Sequence, residues 1–347
     1  MQKHHGFFAV LAIMVCFAAV LSAQPAQEEG AKGNVLTVYS SSSFCGEWGA
    51  GPSLAKAFQE KTGYTVNLVD CGSTGEMVTK LISEKDNPKA DVVVGIPTTM
   101  AEKIYQADLL ATYESPMLKD IPTFLQFDPV HRLLPYDYGN FAFVYDTEKI
   151  TGDMVPHSLQ DLTDPKYKGK VILIDPRTSS VGQGLLLWTI EVFGEDHFMD
   201  WWKAMQNVAL TIADGWSSAY GLFTSGEAPI VISYTTSPVY HVTYENTTRY
   251  QALIFPEGHD TTIEGVGILK SSRHLEAAKS FIDYMLSDGQ IDIAMTNSMY
   301  PTNSSVKLPD AFTYAPKPPK DLYTDPATLA KKMDTWLTLW EQGMSTK

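Results

Sequence analysis

The chain is short of positive charge: 26 Lys and Arg stand against 40 Asp and Glu in 347 residues, a net charge of −14. No basic run interrupts this balance, so the footprint of a nucleic-acid binder is missing. Cysteine is scarce, at three residues, which excludes a disulfide-stapled scaffold. Past the N-terminal His4 and His5 no two histidines stand at a zinc-binding spacing, and no G-x-S-x-G elbow occurs, "GWSSA" being the nearest approach. Zinc hydrolysis and an α/β-hydrolase nucleophile therefore lack their usual residues. His241, near a helix start, reads as structural. No catalytic residue, metal ligand or cofactor is expected.

What is present begins with one long apolar run. Lys3, His4 and His5 precede "GFFAVLAIMVCFAAVLSA", and the small Ser22 and Ala23 close it. That is the pattern of a signal peptide over 1–23. A transmembrane anchor is the competing reading, since the run approaches the ~18 apolar residues of a span. The polar "QPAQEEGAKG" that follows favours export to the periplasm, with a tether over 24–33. Cys16 is a less suitable lipid-anchor site, because Val15 before it is bulky. Cleavage leaves 25 cations against 40 acids, a net charge of −15, and two cysteines, Cys45 and Cys71. About 320 residues suit two α/β units better than one small core.

Strand-like and helical segments alternate: "VLTVYS", the helix "SLAKAFQEKTG", "TVNLV", the helix "GEMVTKLISEK" and "ADVVVGI". This order predicts right-handed crossovers and a parallel sheet. "RLLPYDYGNFAFVYD" reads as one long strand. The alternation then restarts through "KVILID", a helix from Gly182 to Phe193, "VALTIA", a helix from Ser217 and "APIVISY". Trp188, Trp201 and Trp202 fall on helical stretches and are expected in the core. The chain returns near "GVGILK" to finish beside the first unit, and Leu329, Met333, Trp336 and Trp340 form a stripe that packs the last helix on the body. The plan is an α/β, two-lobed periplasmic-binding-protein fold, with lobes of 34–141 plus 265–347 and of 142–264. Its ligand cleft lies between the lobes, at the carboxyl ends of the strands.

The loops at those strand ends are alike. "SSSSFCGEWG", "DCGSTGE", "PRTSSVGQG", "DGWSSAYG" and "SYTTSPVYH" all carry small hydroxyls or glycine, and three carry Trp or Tyr. Ser41, Ser42, Ser73, Thr74, Gly75 and Ser179, with helix N-terminal N–H groups, suit a phosphate or carboxylate held without formal positive charge. Taken singly, each serine is explained as well by ordinary N-capping. Trp48, Trp216, Tyr234 and Tyr240 offer flat faces to a heteroaromatic ring or an organic cation, each contact contributing roughly 0.5–2 kcal/mol.

"YDYGNFAFVYD", "DPRTSSVGQGLLLW", "GWSSAYGLFTSGE", "SYTTSPVYH" and "MYPTN" closely resemble, in the same order, stretches of bacterial thiamine-binding periplasmic proteins. The similarity runs from Val35 to Trp340. It implies a monomeric binder that closes by hinge motion and delivers thiamine or thiamine phosphate to an ABC transporter membrane permease. It also implies that Trp48, Trp216, Tyr234 and Tyr240 hold the thiazolium and pyrimidine, and that Ser179 in "DPRTS" meets the phosphate.

Some positions depart from the family. Ser41 and Ser298 stand where it carries a tyrosine and a tryptophan against the pyrimidine. Ser73 and Thr74 stand where an acidic residue and a glycine are usual, and losing a carboxylate there predicts a preference for thiamine pyrophosphate. Alternative ligands are another phosphorylated or phosphonate small molecule, or ferric ion. Ferric-ion binders of this superfamily tend to use adjacent tyrosines as hard oxygen ligands, and this chain has no Tyr-Tyr pair. Cys45 and Cys71 fall in loops after neighbouring strands and are expected to form a disulfide that fixes the loop bearing Trp48.

Overall fold

The computed structural model describes residues 34–46 and 48–345. The expected signal peptide, the tether and Cys16 lie outside the described residues. Among the described residues no helix is long and apolar enough to cross a membrane.

The first run is β1 (Val35–Ser40), the short α1 (Ser42–Cys45), α2 (Gly51–Thr62), β2 (Thr65–Asp70), α3 (Thr74–Ser83), β3 (Val92–Pro97) and α4 (Thr98–Gln106). β1 lies between β2 and β3 and parallel to both, as a β-α-β order requires. "VVVGIP" in β3 is buried along its whole length, the signature of a strand covered on both faces. "TVNLVD" in β2, at the sheet edge, never becomes fully buried.

β4 (Leu134–Asp146) leads into β5 (Val171–Ile174), α5 (Ser180–Phe193), α6 (Phe198–Val208), β6 (Thr211–Ala213), α7 (Trp216–Thr224), β7 (Ile230–Tyr234), α8 (Pro238–Tyr244), β8 (Tyr250–Ala252) and β9 (His259–Ile268). α9 (Leu275–Met285), α10 (Gln290–Asp292), β10 (Tyr300–Pro301), β11 (Asp321–Leu322) and α11 (Pro326–Ser345) complete the chain. The strand order is β2-β1-β3-β9-β4-β7-β5-β6.

Two strands tie the lobes together. β4 pairs antiparallel with β9 from Leu134 to Asn140, then antiparallel with β7 from Phe141 to Tyr145. β9 in turn pairs antiparallel with β3 from Glu264 to Ile268. One lobe packs Leu36, Phe58, Phe281 and Met285 into its core, with Val93, Met100 and Ile104 forming a second cluster. Val92 and Val93 divide between these two clusters because successive strand side chains point to opposite faces.

The other lobe's core gathers Phe143, Leu173, Trp188, Trp201 and Trp202. The three indoles expected in the core are there, and each N–H has an acceptor: Gly258 O at 2.8 Å for Trp188, Leu159 O at 2.7 Å for Trp201 and Thr189 Oγ1 at 3.0 Å for Trp202. The stripe Leu329, Met333, Trp336 and Trp340 is buried as well, but in this second core with Leu322 and not with Phe281 and Met285. Trp340 meets Trp202 edge-on, with ring centroids 5.4 Å apart. An amphipathic stripe dictates burial without naming its partner, and the aromatic face of α6 covers these indoles.

Candidate ligand-binding site

The strand-end loops of both lobes close around a cavity of about 250 Å³. Ser41, Ser42, Trp48, Ser73, Thr74, Ser179, Trp216, Tyr234 and Tyr240 all line it. Gly75 stands behind this lining. Its N–H donates to Thr178 O, on the facing lobe, at 2.9 Å.

The aromatic side is built around Trp48, which meets Trp216, Tyr220 and Tyr240 edge-on at centroid distances of 5.9, 5.8 and 6.1 Å. Trp216 and Tyr220 stack at 4.8 Å. The "SYTTSPVYH" loop holds this group in place. Trp216 Nε1 donates to Ser233 Oγ at 2.8 Å, and Ser233 Oγ lies 2.7 Å from Ser237 Oγ. Tyr234 stacks on Phe141 at 5.1 Å. Tyr220 OH and His241 Nε2 are 2.9 Å apart, and His241 Nδ1 reaches Glu245 at 2.7 Å. Burial holds the His241 pKa below its ordinary value, with Glu245 opposing. These contacts fit a structural role for His241.

The polar side is made of helix starts. Ser73 caps α3 in a capping box with Glu76, Ser179 caps α5 through Val181 N–H, and α7 begins at Trp216 after Gly215. Three helix N-termini thus turn partial positive charge toward one cleft, but at α3 the N–H groups of Ser73, Gly75 and Glu76 already donate to Glu76, Thr178 and Ser73. The hydroxyl of Ser73 accepts from Glu76 N–H at 3.3 Å, so this oxygen is already engaged in capping. Glu76 and Asp214 line the same cleft. Glu76 Oε2 accepts from Ser73 N–H at 2.7 Å, and Asp214 accepts from the Ser218 hydroxyl. Carboxylates are thus present in the cleft on the side of Ser73 and Thr74.

Cys45 and Cys71 are free thiols where a disulfide was expected. Burial, the leading cause for both, pushes Cys45 up to about 12 and Cys71 up to about 11. The Cys71 thiol also donates to Val69 O at 3.4 Å. Thiols held protonated are poor attackers, because the thiolate carries the reaction.

Residues 53–320 match the model of a family described as bacterial extracellular solute-binding protein. The chain belongs to that family. It is 38% identical to a thiamine-binding periplasmic protein of Brucella melitensis, over 93% of this chain and 95% of that protein. It is 37% identical to a thiamine-binding periplasmic protein of Escherichia coli, over 90% and 94%. A solved periplasmic thiamin binding protein superposes with a TM-score of 0.82 at 35% identity, covering 89% of this chain and 96% of that one.

As in a solute-binding protein generally, the site belongs to neither lobe alone. Several lining residues have no signal in sequence patterns. Glu264 sits inside a strand, and Asn297 ends a short π-helical turn over Ile293–Asn297. Ser298, noted in the sequence only as a departure from an aromatic, lines the cleft with φ at 50° and a buried hydroxyl.

Proposed function

We propose that the protein is the periplasmic capture component of an ABC importer for thiamine and its phosphate esters, a binder and not an enzyme. The observation that carries this reading is the lining. It combines the faces of Trp48, Trp216, Tyr234 and Tyr240 with the carboxylates of Glu76, Asp214 and Glu264, and among the described residues it has no Lys, Arg or His. Such a surface favours a flat organic cation. The thiazolium of thiamine is one, and its quaternary nitrogen is charged at neutral pH without holding a proton. The helix starts at α5 and α7 offer N–H groups to the hydroxyethyl arm or to a phosphate ester on it.

Glu76 and Asp214 in the lining weigh against the expected preference for pyrophosphate. A polyanion would meet carboxylates and no side-chain cation, so free thiamine is expected to bind at least as tightly as the pyrophosphate. A phosphonate or another phosphorylated molecule without a cationic ring would meet the same carboxylates. Ferric ion would leave the aromatic faces unused. In this reading the monomer closes over its ligand and the closed form docks on the permease.

Trp48 and Trp216 make the test direct. Tryptophan fluorescence is followed during titration with thiamine, its monophosphate, its pyrophosphate and an aminophosphonate. Saturable change with the thiamine forms alone is expected. A response to the aminophosphonate without one to thiamine would overturn the reading.

A further inference from the structure

Tyr220 on α7 backs the aromatic side of the cleft. Its buried ring stacks on Trp216 at 4.8 Å, meets Trp48 edge-on at 5.8 Å and lines the cavity, so its placement bears on both indoles. Burial raises the phenol's pKa, with the Ser237 hydroxyl opposing, so the hydroxyl keeps its proton and has to donate it. Ser237 Oγ is already shared with Ser233 Oγ at 2.7 Å and Tyr234 N–H at 3.2 Å. The acceptor for Tyr220 is His241 Nε2, 2.9 Å away.

The tautomer of His241, which is 1% exposed, follows from its other nitrogen. Nδ1 lies 2.7 Å from Glu245 Oε2. An ionised carboxylate only accepts, so Nδ1 carries the proton and Nε2 keeps the lone pair that Tyr220 needs. An added proton therefore goes to Nε2. There it turns the acceptor into a donor that faces the phenol's own proton, in a ring centred 5.8 Å from that of Tyr220. The other groups facing the imidazole are Tyr250 on β8, with ring centres 4.4 Å apart, and Tyr240 on α8 at 5.7 Å. Arg249 lies over the Tyr250 ring and is held by Asp146 and Glu148. The Glu245 side chain is 43% exposed, so water screens its charge.

We propose that His241 is a positioning residue for the cleft: in its neutral form, oriented by Glu245, it fixes the Tyr220 hydroxyl and through that ring the wall of Trp216 and Trp48, and its protonation weakens the hold on a flat organic cation. The weakening has two sources, the lost hydrogen bond and a like charge behind the wall. Affinity is full above the His241 pKa and falls as pH drops through it. By linkage, a bound cation makes His241 harder to protonate. The choice of thiamine as probe rests on the function proposed above, whereas the chain from Glu245 through His241 to Tyr220 does not.

The test follows thiamine affinity by tryptophan fluorescence between about pH 7.5 and about pH 5 in the wild type and in His241→Gln, whose amide keeps an acceptor and a donor but does not titrate. At the upper pH the variant should bind within about threefold of the wild type. At the lower pH the wild type should have lost at least about threefold more affinity than the variant. Titration of the ligand and of the cleft carboxyls is common to both proteins and cancels in this comparison. Equal losses in a folded variant overturn the proposal. If thiamine does not bind the wild type, the function proposed above fails separately. That case, or a variant that does not fold or binds poorly at the upper pH, is decided by imidazole and indole ¹⁵N NMR of the ligand-free wild-type protein. A proton on Nδ1 of His241, with a Trp216 Nε1 signal that shifts at the imidazole's own midpoint, supports the proposal. A proton on Nε2, or an indole signal that ignores that midpoint, overturns it.

Discussion

The N–H of Gly75 donates to the carbonyl oxygen of Thr178 at 2.9 Å, a backbone hydrogen bond from one lobe to the other. Beside it the Thr74 and Ser180 hydroxyls meet at 3.4 Å. A Cβ on Gly75 would stand 2.6 Å from the Thr178 oxygen and 2.9 Å from its carbon. Backbone cannot yield to such an overlap as a flexible side chain would, so the lobes themselves must part. Glycine is required here by the close approach of the two lobes.

Gly75→Ala is therefore expected to hold the cleft ajar. Thiamine affinity should fall about tenfold or more, an energy of ~1.4 kcal/mol, while the melting temperature stays near that of the wild type because neither core is touched. Calorimetric titration and small-angle scattering check both effects. Gly221→Ala on α7 is the control, since a Cβ there meets nothing within 4 Å. It should leave affinity unchanged and raise stability by ~0.5–1 kcal/mol.

Trp48 contributes its face to the cleft and its edge contacts to Trp216, Tyr220 and Tyr240. Trp48→Ala should lower affinity by roughly ten- to a hundredfold, because contacts of ~0.5–1.5 kcal/mol each are lost together. Trp48→Phe should recover part of that loss. Ser233→Ala removes the acceptor of Trp216 Nε1, and it is expected to cost ~1–2 kcal/mol of stability together with a smaller loss of affinity. Titration calorimetry with urea unfolding separates the two quantities.

Much of this site was legible because a parallel α/β plan fixes where strand-end loops meet. Hydroxyl-rich turns and flat side chains at those ends could be recognised one by one, as with Trp48, Ser179, Trp216 and Tyr240. Glu264 could not. In "TTIEGVGI" a single acid reads as the solvent-facing member of a strand, and only the pairing of β9 with β4, far away in sequence, brings it to the cleft. The contact of Gly75 with Thr178 depends on a loop of the other lobe. The stripe on α11 announced a buried face, but choosing between two cores requires knowing which one presents Trp202.

The two cysteines provide a chemical check. With Cys45 up to about 12 and Cys71 up to about 11 through burial, little thiolate exists at pH 8 in the folded protein. Labelling with a chromogenic disulfide reagent should be slow natively. In urea without reductant it should become fast at both Cys45 and Cys71. Failure to label in urea would mean that the pair is oxidised after all.

His259 makes the folded protein less stable in acid. The ring is buried. Nε2 accepts from Phe255 N–H at 2.8 Å and Nδ1–H donates to Phe141 O at 2.7 Å, an arrangement that only the neutral ring can make. Burial depresses the pKa to about 4, with the Phe141 carbonyl and Asp321 opposing. The unfolded ring titrates near ~6.5. Between those values the unfolded chain takes up a proton that the folded one refuses, so this contribution is complete above the unfolded pKa and is lost as pH falls toward about 4. Its full size is ~3 kcal/mol. Asp137, Asp260 and Glu264, raised first of all by burial, act with the opposite sign and stabilise as pH falls. A wild-type curve mixes these terms, and the difference from His259→Gln isolates one, because glutamine keeps a donor and an acceptor but does not titrate. The variant should be the less stable protein at pH 7, and its deficit should shrink by ~2–3 kcal/mol by pH 4.5 in urea unfolding. A deficit that stays constant would show that the folded ring titrates like the unfolded one.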